Sequence, residues 1–109
     1  MRPNNVNILG QNYSITYVDK PSEVDIFKRA SYWGQIDFWT RSIRLFDDKT
    51  TQTDESILHN LLHETIHGIT NALKIDFGQA NDDEVVTDLL ALALADVLTR
   101  NGWIVKELP

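Results

Sequence analysis

Apolar residues recur with a period of two in the first half of the chain and with a helical period in the second half. In the N-terminal run VNILGQNYSITYV, Ile15 and Tyr17 alternate with polar neighbours, which predicts a β-strand. Val6 and Ile8 precede a Leu-Gly pair and fit an earlier strand of the same hairpin. The chain therefore begins with a predicted hairpin.

A second hairpin is predicted in the segment SYWGQIDFWTRSIRLF. Its two β-rich runs, Tyr32 to Asp37 and Ser42 to Phe46, are joined by a short polar turn around Thr40. Between the hairpins, Ser22 with Asp25 three residues later has the spacing that caps a short helix. Two hairpins followed by helices predict an α+β fold.

The pattern changes to helical spacing after Thr53. A helix is predicted to begin at a Thr51 or Thr53 cap, and its apolar face consists of Leu58, Leu62, Ile66, Ile69 and Leu73, widened by Ile57 and Leu61. At about 100° per residue, the three histidines of the chain form a stripe beside this apolar face. Glu64 is expected to project further round, toward the polar side.

A second helix is predicted from about Asp82 to Thr99, ended by the residues RNG. Its apolar residues go almost all the way round, which is typical of a buried helix. The exception is a stripe of two acids and two small residues, Glu84, Asp88, Ala91 and Ala95. The alanines allow another helix to approach closely. Trp103 to Val105 fit a last strand or a segment packed on the core.

Length and composition limit the functions that this chain can have. Its 109 residues, 42% hydrophobic and 24% charged, predict a single domain over residues 1–109. A net charge of −6 without a basic cluster argues against nucleic acid as a partner. No apolar run is long enough for a membrane span or a signal peptide, so we expect a cytoplasmic protein. With no cysteine, any metal would be held by nitrogen and oxygen atoms.

The segment HETIH, His63 to His67, has the His-Glu-x-x-His spacing that presents two imidazoles to one zinc ion, with the glutamate beside it as general base. Catalytic zinc usually has three protein ligands and a water molecule, so a third ligand is needed. His59 lies eight residues before His67, or ~12 Å along the helix, too far to share the ion. It is expected to contact substrate or to lie on the helix surface.

The acidic stripe of the second helix provides the third ligand in our interpretation. We predict Glu84 as the ligand and Asp88, one turn later, as the acceptor that orients a histidine, most simply His63. In the alternative, Glu84 forms a capping box with Asn81, and one of the neighbouring acids, Asp82 or Asp83, is the ligand. Outside this stripe, Asp96 is expected to be solvated or paired with an arginine.

These two motifs, HETIH and EVVTD, resemble those of the gluzincin branch of the zincin metallopeptidases. Their short separation is similar to that in small bacterial and phage zincins, including ImmA/IrrE-like peptidases and minimal gluzincins. The resemblance covers the two helices, about half of the chain. It implies a minimal zincin-like fold, a small antiparallel or mixed sheet packed on the active-site helix, and one bound Zn²⁺.

The resemblance also implies an activity and a substrate. Glu64 would act as general base for a water molecule that attacks a peptide bond, with His59 or Tyr32 as candidate oxyanion donors. The substrate would be a peptide or protein bound along one edge of the second hairpin. Trp33 and Trp39 would either line its pocket or, as the commoner arrangement for strand aromatics, belong to the sheet core with Trp103.

Two other classes of function remain open on the sequence alone. The chain is small, and no part of it corresponds to the extra lobe that supplies a histidine or tyrosine in the larger zincins. A non-catalytic or weakly catalytic module that recognises a partner protein through the hairpin edge is therefore the alternative. A metal-free helical structural protein is a third interpretation.

Overall fold

The two predicted hairpins join into one four-stranded mixed sheet in the computed structural model, which describes residues 2–27, 29–78 and 82–101. Strand β1 (Asn5–Ile8) pairs antiparallel with β2 (Gln11–Val18), and β3 (Gly34–Asp37) pairs antiparallel with β4 (Ser42–Phe46). The central strands β2 and β4 are parallel, which gives the order β1-β2-β4-β3. Strand β3 is therefore an edge of the sheet.

Helix α1 (Asp54–Leu73) covers one face of this sheet. It begins at the predicted Thr53 cap, whose Oγ1 accepts a hydrogen bond from the Ser56 N–H at 3.1 Å. Burial of apolar area is the main force that holds the helix on the sheet. The core contains apolar side chains of three strands and α1: Ile8, Tyr13, Ile15, Ile43, Leu45, Ile57 and Leu61.

The buried face of α1 includes four of the seven residues that the sequence predicted, Ile57, Leu58, Leu61 and Ile66, and it extends to two that were not predicted. Ile57, Leu61, Glu64 and Gly68, spaced by four, three and four residues, are all buried, whereas Leu73 is 56% exposed. The predicted face, made of leucines and isoleucines, did not include Gly68. The sheet approaches α1 most closely there, because a Cβ added to Gly68 would lie 2.7 Å from Ile8 Cδ1 and 3.2 Å from Ile36 Cδ1.

This close approach makes Gly68 a position where a larger residue should destabilise the fold. We expect Gly68→Val to lower the free energy of unfolding by about 1–3 kcal/mol, because extra carbon atoms would overpack the contact with Ile8 and Ile36. Ala72→Val, at an exposed position of the same helix, should change it by no more than about 0.7 kcal/mol. Urea unfolding of both variants measures the difference, and equal effects would contradict the packing described.

The link between the hairpins, residues 19–33, contains a 3-10 helix at Pro21–Glu23 and, in its described part, no helix capped by Ser22. The predicted cap is wrong because the Asp25 carboxylate is buried among other donors. It accepts hydrogen bonds from Arg29, from the Gln35 amide and from backbone N–H groups. These bonds, foremost those from Arg29, hold the pKa of Asp25 well below its usual range. Asp25 thus attaches the link to β3.

Helix α2 (Asp83–Arg100) packs on α1, and the predicted alanine stripe is its contact surface: Ala91 is fully buried and Ala95 is 8% exposed. The prediction of a buried helix is wrong for the rest of α2, since large apolar side chains are exposed along its other sides. The strand suggested for Trp103 to Val105 lies outside the described residues. Within the described ranges, no helix is long and apolar enough to cross a membrane.

Candidate metal centre

The two helices bring together the three side chains that the sequence predicted as metal ligands. His63 and His67 lie one turn apart on α1, and Glu84 lies in the first turn of α2. His63 Nε2 is 3.2 Å from Glu84 Oε2 and 3.2 Å from His67 Nε2, and His67 Nε2 is 2.6 Å from Glu84 Oε1. Among the described residues, this group is the one that could hold a metal ion.

The spacing of the donor atoms suits a small tetrahedral ion. Two atoms that each lie 2.0–2.1 Å from zinc at a tetrahedral angle are about 3.3 Å apart. The separations of 3.2 Å from His63 Nε2 to each of the other two side chains are close to that value, whereas the third, 2.6 Å between His67 Nε2 and Glu84 Oε1, is shorter. Two imidazoles and a carboxylate also form the donor set of many zinc sites that keep a fourth position open. The three residues could therefore hold a metal ion.

Asp88 contacts His63, the histidine that the sequence predicted as its partner. Its Oδ1 is 3.1 Å from His63 Nδ1, so the Asp88 carboxylate can accept a proton from Nδ1, and His63 would then offer the Nε2 lone pair to a bound metal ion. Partial burial would raise the pKa of Asp88, but hydrogen bonds from His63 and His59 hold it below its ordinary value. The carboxylate is therefore held in its charged form, which can fix the histidine tautomer.

The alternative third ligands have other roles or lie outside the group. Asp82 is the N-cap of α2, and its Oδ1 accepts hydrogen bonds from the N–H groups of the second and third residues that follow. Asn81, the other partner of the alternative capping box, lies outside the described residues. Asp83 is not a member of the group. Asp96 is paired with Arg100 at 2.6 Å, as expected for a residue on another face.

Glu64 is buried, contrary to the expectation that it would project toward the polar side. Only 7% of the residue is exposed, because it belongs to the α1 face that packs on the sheet. Its Oε2 is 4.0 Å from His63 Nε2, next to the candidate centre. Burial raises the pKa of Glu64 to about 7, against the opposing effects of His63 and of a hydrogen bond from the Ile36 N–H.

Gly34 makes room for this buried carboxylate, and sequence reasoning missed it. A Cβ at Gly34 would lie 3.1 Å from Glu64 Oε2 and 3.1 Å from Leu45 Cδ2. Any larger residue would push the carboxylate or the core leucine. The available signal was the position of this glycine at the start of β3, since a glycine in a strand often marks close approach of another group.

His59 contacts Asp88 and is not one of the three candidate metal ligands. Its Nε2 is 3.0 Å from Asp88 Oδ1, the same oxygen that accepts from His63. The exclusion of His59 from the ligand set agrees with this placement. The side chain is 26% exposed and lines a cavity beside the centre. It is thus neither an isolated surface residue nor a ligand, and it helps to hold Asp88.

Two cavities that share several residues of the centre form a groove along β3, here called the β3 groove. One has a volume of about 500 Å³ and lies toward Trp33 and His59, and the other, about 550 Å³, lies toward Phe38 and His67. The residues that line both are Tyr32, Gly34, His63, Glu64 and Glu84. The candidate centre therefore lies in the middle of the groove.

The aromatic residues near β3 are on the surface, so their assignment to the sheet core is wrong. Trp33 is 57% exposed and packs edge-to-face on Phe46 with ring centroids 5.3 Å apart, while Trp39 in the hairpin turn is 92% exposed. Of the two, Trp33 lines the cavity on the His59 side. Tyr32 lines both cavities. Trp103 lies outside the described residues.

Comparisons with protein-family models, with curated proteins and with solved structures found no match for this chain. The function of the chain must therefore be inferred from its fold and from the geometry of its side chains.

Proposed function

We propose that this chain is a zinc-dependent metallopeptidase of the gluzincin type. The observation that carries the proposal is the convergence of two imidazole nitrogens and one carboxylate from two helices, with a second, buried carboxylate beside them. A structural zinc site would have no use for a carboxylate that is costly to bury and contributes no ligand. A hydrolytic site needs one in this position as general base.

The chain's own groups account for most of the chemistry. His63, His67 and Glu84 would hold the ion, with Asp88 fixing the tautomer of His63. Bound zinc would polarise a carbonyl group and make a water molecule more acidic. Glu64 would accept the proton of the attacking water at Oε2 and deliver it to the departing amine nitrogen.

Strand β3 provides a place for an extended substrate. The Phe46 N–H donates to the Trp33 carbonyl at 2.9 Å, so residues 33 and 46 form a hydrogen-bonded pair. Such pairs alternate with non-hydrogen-bonded ones, so Gly34 and Ile36 direct their backbone groups away from β4. Because the Ile36 N–H already donates to Glu64, a peptide at this edge would pair with Gly34 and with the Ile36 carbonyl. A peptide could add to this edge as a further strand and cross the centre.

The position of the centre within the β3 groove favours cleavage inside a peptide. Cavities on both sides leave room for residues before and after the scissile bond. The exposed aromatic surfaces of Trp33 at one end and Phe38 at the other would bind apolar side chains. We therefore propose endopeptidase activity on extended segments that carry apolar residues near the cleaved bond.

The test is a paired measurement of metal content and cleavage on the purified chain. We expect one equivalent of zinc by elemental analysis and cleavage of internal bonds in a mixture of unstructured peptides, identified by mass spectrometry. Chelation should abolish cleavage, and stoichiometric zinc should restore it. A chain that binds one zinc ion but leaves a broad peptide library intact would contradict the peptidase proposal.

A partner-binding module with the same metal centre is the second candidate. The observation that favours it is the aromatic surface beside the centre, since exposed aromatics such as Trp33 and Phe38 serve recognition as well as catalysis. For such a module, zinc-dependent capture of a partner protein would leave that partner intact. Glu64→Gln would then bind the partner as tightly as the unaltered chain.

A further inference from the structure

Large apolar side chains are exposed along the sides of α2 that face away from its contact with α1. Their exposed fractions lie between 42% and 60%, and the residues are Val85, Leu89, Leu90, Leu92, Leu94 and Val97. Soluble monomers rarely expose contiguous apolar patches larger than a few hundred Å². This surface is thus typical of an interface.

Part of this surface has the spacing of a helix–helix seam. Successive residues are separated alternately by three and four positions, as in a heptad repeat, and the set is Asp83, Val86, Leu90, Ala93, Val97 and Arg100. All six are exposed or half-buried. The seam is apolar in its middle and charged at its two ends, with opposite signs.

The order of residues along the seam is self-complementary when a second copy runs in the opposite direction. Asp83 then lies beside Arg100 of the other copy, which also pairs with Asp96 of its own helix, and Val86 lies beside Val97. Leu90 meets Ala93, so that a large side chain faces a small one, which helps two helices to interlock. A parallel arrangement would instead place the two Asp83 carboxylates together at one end. Charge and side-chain size both favour the antiparallel pair.

We propose that two copies of this chain associate through α2, antiparallel and related by a two-fold axis near the middle of the helix. The same patch is used by both copies, as two-fold symmetry requires. Leu89 and Leu94 flank the seam on opposite sides and extend the contact. Glu84 and Asp88 lie on the α1 side of α2, so the pairing leaves the β3 groove open. The pairing does not depend on any activity at the centre.

The first experiment measures the oligomeric state by sedimentation velocity over a range of protein concentrations. The unaltered chain is expected to be a dimer, and Leu90→Lys should raise its dissociation constant at least ~100-fold, since two copies of a central apolar contact are lost. Leu92→Lys is the matched control, because Leu92 is similarly exposed but lies outside the seam. Circular dichroism of both variants verifies that they are folded.

A second experiment determines the orientation of the two helices. The chain has no cysteine, so introduced thiols can be interpreted without background. The double variant Val86→Cys/Val97→Cys should form a covalent dimer on mild oxidation. Val86→Cys alone should not, because antiparallel packing separates its two copies by ~16 Å along the axis, well beyond the reach of a disulfide.

The outcomes separate this arrangement from others. A monomer at all concentrations would overturn the proposal, and this is the result expected if residues 102–109 of the same chain cover the surface instead. Equal dissociation constants for the Leu90→Lys and Leu92→Lys dimers would show that the seam is not the interface. Efficient cross-linking of Val86→Cys alone would contradict the antiparallel orientation.

Discussion

Glu64→Gln is expected to lower kcat/KM for any cleaved peptide by about 10²–10⁴-fold, the usual contribution of a general base, while zinc content stays at one equivalent. Glutamine keeps the volume of glutamate and can still accept the hydrogen bond from the Ile36 N–H. The fold and the ligand geometry should therefore persist. The loss would report on proton transfer alone, measured by initial rates of cleavage together with elemental analysis.

The control for this experiment is Glu55→Gln. Glu55 is an exposed acid in the first turn of the same helix, away from the β3 groove, so its loss should leave the rate within about 2-fold. Cleavage by the Glu64 variant at the unaltered rate would refute the role of Glu64. Loss of zinc from that variant would instead show that the buried carboxylate holds the ion.

Glu84→Ala is expected to weaken zinc binding by more than 100-fold, since loss of a supporting residue behind a ligand already costs roughly 10–100-fold. Alanine removes the carboxylate that approaches both histidines, within 3.2 Å of His63 and 2.6 Å of His67. Affinity can be measured by competition with a chromogenic chelator. Asp88→Asn should weaken zinc binding by only about 10–100-fold, because it loosens the hydrogen bond that orients His63 without removing a ligand.

Asp83→Ala provides the matched control for the third ligand. Asp83 is the neighbouring exposed acid and was a candidate ligand on sequence grounds, but it lies outside the group that the structure brings together. Its removal should leave zinc affinity unchanged. If Glu84→Ala bound zinc as tightly as the unaltered chain, the assignment of Glu84 would fail, whereas a loss confined to Asp83→Ala would transfer the role to Asp83.

Much of this fold could be predicted because each element carries its own period. Alternation identified both hairpins, helical spacing identified both helices, and the Thr53 cap marked the start of α1. The parallel pairing of β2 with β4 had no such local signal, because it joins strands that are distant in sequence. Short-range patterns do not record which strands become neighbours.

The residues of the candidate centre could be predicted from the sequence, but the packing around them could not. Spacing alone placed His63 and His67 together, and the acids of the second helix supplied Glu84 and Asp88 across the gap. The burial of Glu64 was missed because it depends on the path of the sheet past Gly68 and Gly34. Such proximity is a tertiary property.

The exposure of aromatic and leucine side chains was the least predictable feature. Trp33 and Trp39 are residues of a type common in sheet cores. They lie next to an edge strand and in a turn, however, and their side chains are exposed. Helix α2 is apolar nearly all the way round, a pattern that burial within the chain and association with another chain produce equally. Amino-acid type alone does not distinguish the two.

The side chains that α2 buries against α1 are small, and this affects how readily the helix can detach. Thr87, Ala91 and Ala95 are the buried residues of this helix, and none of them has a large apolar side chain. Elements with so little buried apolar surface detach at low energetic cost and exchange their amide hydrogens early. Detachment of α2 would carry the Glu84 carboxylate away while His63 and His67 stayed on α1, packed on the sheet. The rate at which α2 detaches would therefore set the lifetime of the assembled centre.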